Sequence, residues 1–129
     1  MAHNPSDRKY TKDHAWVRQL GNGEVEIGIT DVTQRQMGVM VFVERPKVGS
    51  SFATGEPMAM VESVKVASEI YTPAGGTVLA INDLLDGDPE CLNHEPYGDG
   101  WIVRIKITDP KELDGLMSAA EYEKYISEE

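Results

Sequence analysis

The chain has 129 residues, of which 40% are hydrophobic and 26% charged, and this predicts one soluble domain whose core needs no covalent staples. Its 22 acidic and 12 basic side chains give a formal net charge of −10, so we expect neither nucleic acid nor an anionic membrane as a partner. The single cysteine, Cys91, excludes an internal disulfide. We predict that it is a small buried hydrophobe and that any thiol redox chemistry requires a cofactor.

The first ten residues are mostly polar and contain no apolar core segment, so they predict neither a secretory signal peptide nor a membrane span. A lone cysteine is also typical of a reducing compartment. We therefore expect a cytoplasmic protein, or one whose transit peptide has already been removed.

Strand and turn patterns begin early in the chain. Residues 24–30 alternate polar and apolar side chains, as in a strand with one buried face, and a Gly-Asn-Gly turn predicts a hairpin with residues 15–20. Asp31 followed by Gln34 resembles a helix N-cap with its capping-box partner. Gly38 suits the C-terminal end of that short helix.

Short apolar runs recur through the middle of the chain. Residues 40–44 and 58–61 are bounded by glycine and proline and predict buried strands, and a shorter apolar pair lies at 70–71. Further strands are predicted over 77–81 and over 101–108, where every second side chain from the tryptophan onward shares one apolar face. This spacing of short strands predicts an all-β barrel or sandwich.

Helical turns are predicted around and after the last strand. Residues 82–100 are rich in turn residues and leave room for one or two helical turns. Asp109 before a proline predicts a helix N-cap, and Ser118 with Glu121 predicts a second capping box. Apolar residues at helical spacing over 113–120 form a stripe that we expect to pack on the barrel, with a partner or membrane surface as the alternative.

Conventional catalytic and metal-binding patterns do not occur in the sequence. The three histidines lie far apart, at His3, His14 and His94, and do not match metal-ligand spacing. A Gly-Gly pair at 75–76 is too short for a phosphate-binding loop. The sequence therefore predicts neither a metal nor a nucleotide site.

Lys65 lies in a short run between the apolar segments at 58–61 and 70–71. A lysine at such a turn suits a tether, because its four-carbon stem keeps the amine clear of the backbone. The pattern thus favours covalent attachment of a carried group. An ordinary solubilising surface charge is the alternative, and on spacing alone it is the more common case.

Five segments follow one another along nearly the whole chain: YTKDHAWV (10–17), GITD (28–31), VFVE (41–44), VESVK (61–65) and NHEPYGDGW (93–101). Together they resemble the family of glycine cleavage system H proteins. The Glu-Ser-Val-Lys run that ends at Lys65 and the Pro-Tyr-Gly-x-Gly-Trp run that ends at Trp101 are specific to that family.

The resemblance implies a mainly β fold, a barrel-sandwich hybrid of the lipoyl/biotinyl type. This fold consists of two small antiparallel sheets with short helices and a C-terminal helical segment. The resemblance also implies a single lipoyl-carrier domain over 1–129, with a lipoyl-binding core at about 24–108 and C-terminal helices at about 109–127.

The resemblance further implies that lipoic acid is joined by an amide to Lys65, which removes the lysine charge and lowers the cost of placing the arm in an apolar cleft. In the family, this arm carries the aminomethyl group of glycine from a pyridoxal-phosphate glycine decarboxylase to an aminomethyltransferase that uses tetrahydrofolate. A dihydrolipoyl dehydrogenase with FAD then reoxidises the dithiol using NAD. Lipoylating enzymes are further implied partners, and the chain itself is implied to be a non-catalytic carrier subunit.

Polar residues near the modified lysine acquire implied roles from the same resemblance. They are expected to form a recognition surface for the lipoylating and partner enzymes, or to hold the arm, with ordinary turn polarity as the alternative. These residues are Glu62, Ser63, Ser68, Glu69 and His14.

Three positions depart from the common pattern of the family. Ala15 stands where glutamate is common, an acid expected to help hold the aminomethylated arm, and Glu69 stands where aspartate is usual. Val39 replaces a commonly acidic residue that we expect at the surface near the arm. We therefore expect the loaded arm to be held less firmly than in relatives that keep the acid.

Other carrier classes fit the sequence less well. A biotin carrier places its lysine between two methionines, whereas Val64 and Val66 flank Lys65. The lipoyl domain of a 2-oxoacid dehydrogenase usually has an acid before the lysine and a flexible linker, and neither is found. A lipoyl donor to other enzymes and an unmodified interaction protein of the same fold remain alternatives.

Overall fold

A computed structural model describes residues 4–128, and its main elements are β-strands. The strands are β1 (Lys9–Tyr10), β2 (Ala15–Gly21), β3 (Glu24–Ile29), β4 (Met40–Glu44), β5 (Ser51–Phe52), β6 (Pro57–Ser63), β7 (Ala67–Tyr71), β8 (Gly76–Ile81) and β9 (Val103–Ile107). They form a six-stranded sheet in the order β1-β2-β3-β9-β8-β5 and a three-stranded sheet in the order β4-β6-β7. All of these pairings are antiparallel.

Short helices connect and flank the strands of residues 4–128. They are α1 (Asp31–Met37), α2 (Leu84–Gly87), α3 (Cys91–His94), a 3₁₀ helix (Pro110–Leu113) and α4 (Ala119–Ser127). Two antiparallel sheets with short helices and a C-terminal helix confirm the barrel-sandwich hybrid that the sequence predicts. The one or two helical turns expected within 82–100 are α2 and α3.

The main core lies between the two sheets and consists of the inward-facing side chains of their strands. Val25, Ile27 and Ile29 on β3 are at most 1% exposed, which confirms the predicted apolar face. The opposite face is buried too, since Glu26 is 2% exposed and Gly28 is buried, so the expectation of only one buried face is wrong. Burial of each such side chain contributes roughly 1.5–3 kcal/mol. The predicted hairpin of β2 and β3 is also confirmed, because Ala15 lies opposite Ile29 in the antiparallel register.

The first helix begins one residue earlier than the sequence suggests. Its N-cap is Thr30, so Asp31 is the first helical residue and the predicted capping box is wrong. The Asp31 carboxylate instead accepts a hydrogen bond from Gln34 Nε2 at 2.7 Å. Thr30 does not cap with its side chain, because its hydroxyl lies 2.8 Å from the Tyr122 hydroxyl on α4. The predicted end at Gly38 is confirmed, with a φ of 83° there.

Two predicted strands differ in detail from the observed ones. β4 is a strand as expected, yet only Met40 and Val43 in it are buried. A bulge between Met40 and Phe42 interrupts the alternation of side chains, so Val41 and Phe42 both face outward. β9 is shorter than the predicted strand at 101–108. Trp101 lies before it and packs with a separate aromatic cluster, so it does not share the apolar face of β9.

The tail forms two helical pieces, as the two predicted caps indicate. Asp109 caps the 3₁₀ helix by accepting from Lys111 N at 3.0 Å, which confirms the predicted N-cap. The predicted capping box of Ser118 and Glu121 is also confirmed. The continuous stripe over 113–120 is wrong, since the chain turns between the two helices and only the first of its apolar residues is buried.

A second, aromatic core attaches the tail to the six-stranded sheet. Tyr10, Trp16 and Tyr122 are fully buried in it, and the rings of Tyr10 and Tyr122 stack with centroids 4.7 Å apart. Tyr10 also exchanges backbone hydrogen bonds with Met117 at 2.8 and 2.9 Å. The tail therefore packs on the sheets, as expected.

Part of the N-terminal prediction lies outside the described residues, namely Met1 to His3. Within residues 4–128, no helix is both long enough and apolar enough to cross a bilayer.

Candidate functional site

Lys65 is exposed in the turn that joins β6 to β7. The turn is closed by a backbone hydrogen bond from Ser63 N to Val66 O at 2.8 Å. The Ser63 hydroxyl, on a residue 8% exposed, accepts hydrogen bonds from the backbone amides of Lys65 and Val66 at 3.3 and 3.2 Å. The same hydroxyl lies 3.2 Å from Val66 O, to which it donates. Ser63 therefore fixes the backbone at the base of the lysine, and the lysine itself is exposed.

The segment between α1 and β4 supports one side of this turn. The amide of Val64 donates to the carbonyl of Val39 at 3.0 Å. The lysine stem passes beside Gly38, where an added Cβ would lie 3.7 Å from Lys65 Cε. Val39 is 48% exposed, so this departure from the family pattern lies at the surface next to the carrier turn, as predicted.

A narrow cleft lies along the exposed edge of β7, on the same hairpin as Lys65. Its volume is about 30 Å³. Its apolar walls come from both sheets, and its polar residues come from β7, the start of α1 and the turn before β2. The apolar residues include Ala15, Ile29, Val61 and Ile70, and the polar ones include Asp13, His14, Thr33, Ser68 and Glu69.

His14 occupies its place in the cleft through an unusual backbone conformation. Its φ of 64° lies in the left-handed region, which residues other than glycine rarely adopt. The strain is offset by contacts, because the His14 carbonyl accepts from Thr30 N and from Thr33 Oγ1, both at 3.0 Å. Its ring is held through Nδ1, which lies 2.7 Å from the Tyr122 hydroxyl.

The electrostatic character of the cleft mouth is acidic. The charge of Glu69, and then its hydrogen bond with the phenol, raise the pKa of Tyr71, with a smaller contribution in the same direction from Asp13. These carboxylates therefore act on the same region of the β7 edge. A negative potential at this position favours a cationic group over an anionic one.

The structure brings together three of the residues singled out from the sequence. Ser68, Glu69 and His14 line the same cleft, although 54 residues or more separate the histidine from the other two in the chain. Ser63, the last residue of β6, holds the backbone of the lysine. Glu62 is directed outward, because its neighbour Val61 faces the core and side chains alternate along β6.

Several cleft residues were not predicted from the sequence. Asp13 and Thr33 supply polar groups, and Tyr71 lies at the mouth. No local pattern distinguishes them, because they come from separate elements that meet only in the folded chain. Ala15 was identified only through the family pattern, and the structure places it in the cleft wall with 4% exposure.

Cys91 is 6% exposed on α3, which confirms the prediction of a small buried hydrophobe. Burial raises the pKa of its thiol, so the thiolate is disfavoured at neutral pH. Among the residues that the structure describes, no three His, Cys, Asp or Glu side chains are grouped closely enough to hold a metal ion.

An exposed lysine on a hairpin turn, carried by two small antiparallel sheets, defines a domain of the lipoyl/biotinyl carrier type. The family model described as "Glycine cleavage H-protein" matches residues 8–129. The chain belongs to this family.

Full-length relatives and a solved structure agree with this membership. The chain is 50% identical to the glycine cleavage system H protein of Idiomarina loihiensis, over the whole of both chains. It is 46% identical to the H protein of Aeromonas hydrophila, again over the whole of both. The crystal structure of a glycine cleavage system H protein from Mycobacterium marinum matches with a TM-score of 0.88 at 34% identity, covering 96% of this chain and 99% of that one.

Proposed function

We propose that this protein is the lipoyl carrier of the glycine cleavage system and that Lys65 is its attachment site. The observation that carries the proposal is the position of Lys65, exposed in a turn whose backbone is fixed on both sides by Ser63 and Val39. Such a position gives a lipoylating enzyme access to the amine while the base of the arm stays fixed. We propose that residues 1–129 act as a single carrier domain and catalyse no step themselves.

Lipoic acid joined to Lys65 would supply a disulfide ring whose S–S bond opens as one sulfur receives the aminomethyl group, and the dithiol left after that group departs would be reoxidised by the dehydrogenase. The side chains around the turn fit such a group, because the lysine stem already extends beside Gly38 without a bulky neighbour at that position. The partners in this proposal are a glycine decarboxylase with pyridoxal phosphate, an aminomethyltransferase with tetrahydrofolate and a dihydrolipoyl dehydrogenase with FAD and NAD. Carriage between these sites relies on a tether that raises the effective concentration at each one.

The cleft along β7 is the place where this chain would hold the loaded arm. Its apolar walls suit the uncharged stem, and Glu69 and Asp13 at its mouth suit an ammonium group.

The experiment is an intact-mass measurement on the full chain made with and without a lipoylating enzyme. We expect the mass increase of one lipoyl group in the wild type, none in Lys65→Arg, and the normal increase in the control Lys47→Arg, which changes another exposed lysine. A modification that persists in Lys65→Arg would place the attachment site elsewhere. An unmodified wild type would favour the interaction-protein alternative.

A second measurement separates glycine cleavage from lipoyl transfer to other enzymes. The lipoylated chain is mixed with the three partner enzymes and glycine, and carbon dioxide release is followed. We expect release that depends on the lipoylated form. Release at the rate of the unmodified chain, with efficient lipoyl transfer to another carrier, would favour the lipoyl donor instead.

A further inference from the structure

The side chain of Asn93 forms hydrogen bonds with the residues before and after Val39, between α1 and β4. Its Nδ2 donates to the carbonyl of Gly38 at 2.8 Å, and its Oδ1 accepts from the amide of Met40 at 2.9 Å. The side-chain amide thus imitates a neighbouring strand, pairing with the residues before and after Val39. A further bond to Gln34 Oε1, at 3.2 Å, connects Asn93 to α1.

The residue between these two bonds contacts the carrier turn. In extended backbone, successive carbonyls point to opposite edges of the chain. The carbonyl of Val39 accordingly accepts from Val64 N, at 3.0 Å, while its neighbours bond to Asn93. Segment 38–40 is therefore held between Asn93 on one edge and the residue before Lys65 on the other.

The regular sheet pairing does not by itself secure this end of β4. Met40 is paired with Ser63, but the ladder then slips at the bulge between Met40 and Phe42. A bulge disrupts the ladder locally and leaves a residue unpaired. By contrast, Asn93 lies on a helix whose preceding residues, Cys91 and Leu92, are 6% and 0% exposed in the main core. The core thus supplies a rigid base for the asparagine.

We propose that Asn93 is a positioning residue for Lys65. By holding segment 38–40 it fixes the Val39 carbonyl, and that carbonyl holds the amide of Val64 at the base of the carrier turn. The inference rests on the proposed function of Lys65 as the attachment site and identifies a residue that determines how the lysine is presented to the lipoylating enzyme. Asn93 touches neither the lysine amine nor its cofactor in this role.

The test compares Asn93→Ala with Asn82→Ala in the full chain. Asn82 is a matched control, because its side chain also forms three hydrogen bonds, to Asp99 O, Trp101 O and Leu84 N, in a part of the loop that does not contact the turn. Amide hydrogen exchange at Val64, measured by NMR, reports opening of the turn. The rate of lipoylation by a lipoyl ligase with lipoate and ATP reports presentation of the lysine.

We expect hydrogen exchange of the Val64 amide to be about tenfold faster in Asn93→Ala than in Asn82→Ala. A factor of this size corresponds to the net free energy of one or two lost hydrogen bonds. We also expect kcat/KM for lipoylation to fall severalfold in Asn93→Ala alone. Thermal unfolding of both variants corrects for a general loss of stability. Equal Val64 exchange in the two variants, or unchanged lipoylation with faster exchange, would overturn the proposal.

A second variant covers the case in which Asn93→Ala does not fold. Asn93→Asp keeps an acceptor for Met40 N and loses the donor to Gly38 O, so Val64 exchange is expected to rise, but less than in the alanine variant. Unchanged exchange in Asn93→Asp would count against the proposal. If the wild type is not lipoylated at all, the proposed function fails, while the exchange comparison still decides whether Asn93 holds the turn.

Discussion

The hydroxyl of Tyr122 lies 2.7 Å from Nδ1 of His14, and this contact connects the C-terminal helix directly to the cleft along β7. The same hydroxyl lies 2.8 Å from Thr30 Oγ1, at the start of α1. Helix α4 contributes no residue to the cleft wall. Through the Tyr122 hydroxyl, this helix nevertheless supports His14, which lines the cleft, and Thr30, the N-cap of α1.

Tyr122→Phe should lower the free energy of unfolding by about 1–3 kcal/mol, because it removes a buried hydroxyl that contacts two polar groups. The ring NMR signals of His14 should shift at the same time. Tyr125→Phe is the control, since its hydroxyl makes a long, exposed contact of 3.4 Å with Lys12 O. Urea unfolding and the histidine spectrum of both variants check the prediction. Equal losses of stability in the two variants would contradict it.

Ala15→Glu should slow hydrolysis of the aminomethyl-loaded form by about fivefold, as expected for one partly exposed ion pair of about 1 kcal/mol. Ala15 is 4% exposed in the wall of the cleft, so the new carboxylate would enter the region where the loaded arm is proposed to bind. Ala15→Gln has the same size without the charge and serves as the control. The rate at which the loaded form decays is measured for all three proteins. No slowing, or the same slowing with glutamine, would refute a role for the charge.

Gly28→Ala should destabilise the protein by about 1–3 kcal/mol through overpacking. A Cβ at this position would lie 2.6 Å from ring atoms of the buried Trp16, directly opposite on β2. That ring cannot move freely, because Trp16 Nε1 donates to Pro96 O at 2.8 Å. Gly87→Ala provides the contrast, since nothing lies within 4 Å of its added Cβ, and we expect it to be neutral or stabilising by about 0.5 kcal/mol. Thermal or urea unfolding distinguishes the two, and equal effects would contradict the packing argument.

Stability should fall as the pH rises from 10 to 12. Burial raises the pKa of Tyr97 to about 12 in the folded state, whereas an unfolded tyrosine has a pKa of about 10. Below pH 10 Tyr97 is protonated in both the folded and the unfolded state. Between pH 10 and pH 12 only the unfolded state releases the proton, and this release stabilises the unfolded state relative to the folded one. Because Tyr97 is only partly buried and solvent screens its surroundings, the loss is on the order of 1 kcal/mol by pH 12. Burial also raises the pKa of Tyr10, in the same direction.

Urea unfolding at pH 9 and at pH 11.5 checks this dependence. Tyr97→Phe removes the titrating group and should show a smaller loss over the same interval. Because other groups also titrate at high pH, the comparison between wild type and variant carries the result. The same loss in both proteins would show that Tyr97 is not responsible.

Local patterns in the sequence predicted most of the strands and the caps of the tail. The β2–β3 hairpin, the end of α1 at Gly38 and the capping box of Ser118 depend on residues close together in the chain, where turn and capping preferences act. Predictions failed where a distant residue intervened. Thr30 took the N-cap position in place of Asp31 while its hydroxyl paired with Tyr122, and Trp101 joined an aromatic cluster rather than the face of β9.

The sequence by itself determined that this is a strand-rich domain of the H protein family with one lysine suited to carry a group, because strand period, turn residues and the motif around Lys65 are all local properties. Only the tertiary structure decided which side chains form the cleft on the same hairpin and which residues support the turn. The cleft joins residues from 13–15, 29–33 and 61–71, and the support of the turn comes from Asn93, more than 50 residues from Gly38 in the chain. Such contacts follow from the packing of two sheets against each other, and no periodicity within one segment encodes them.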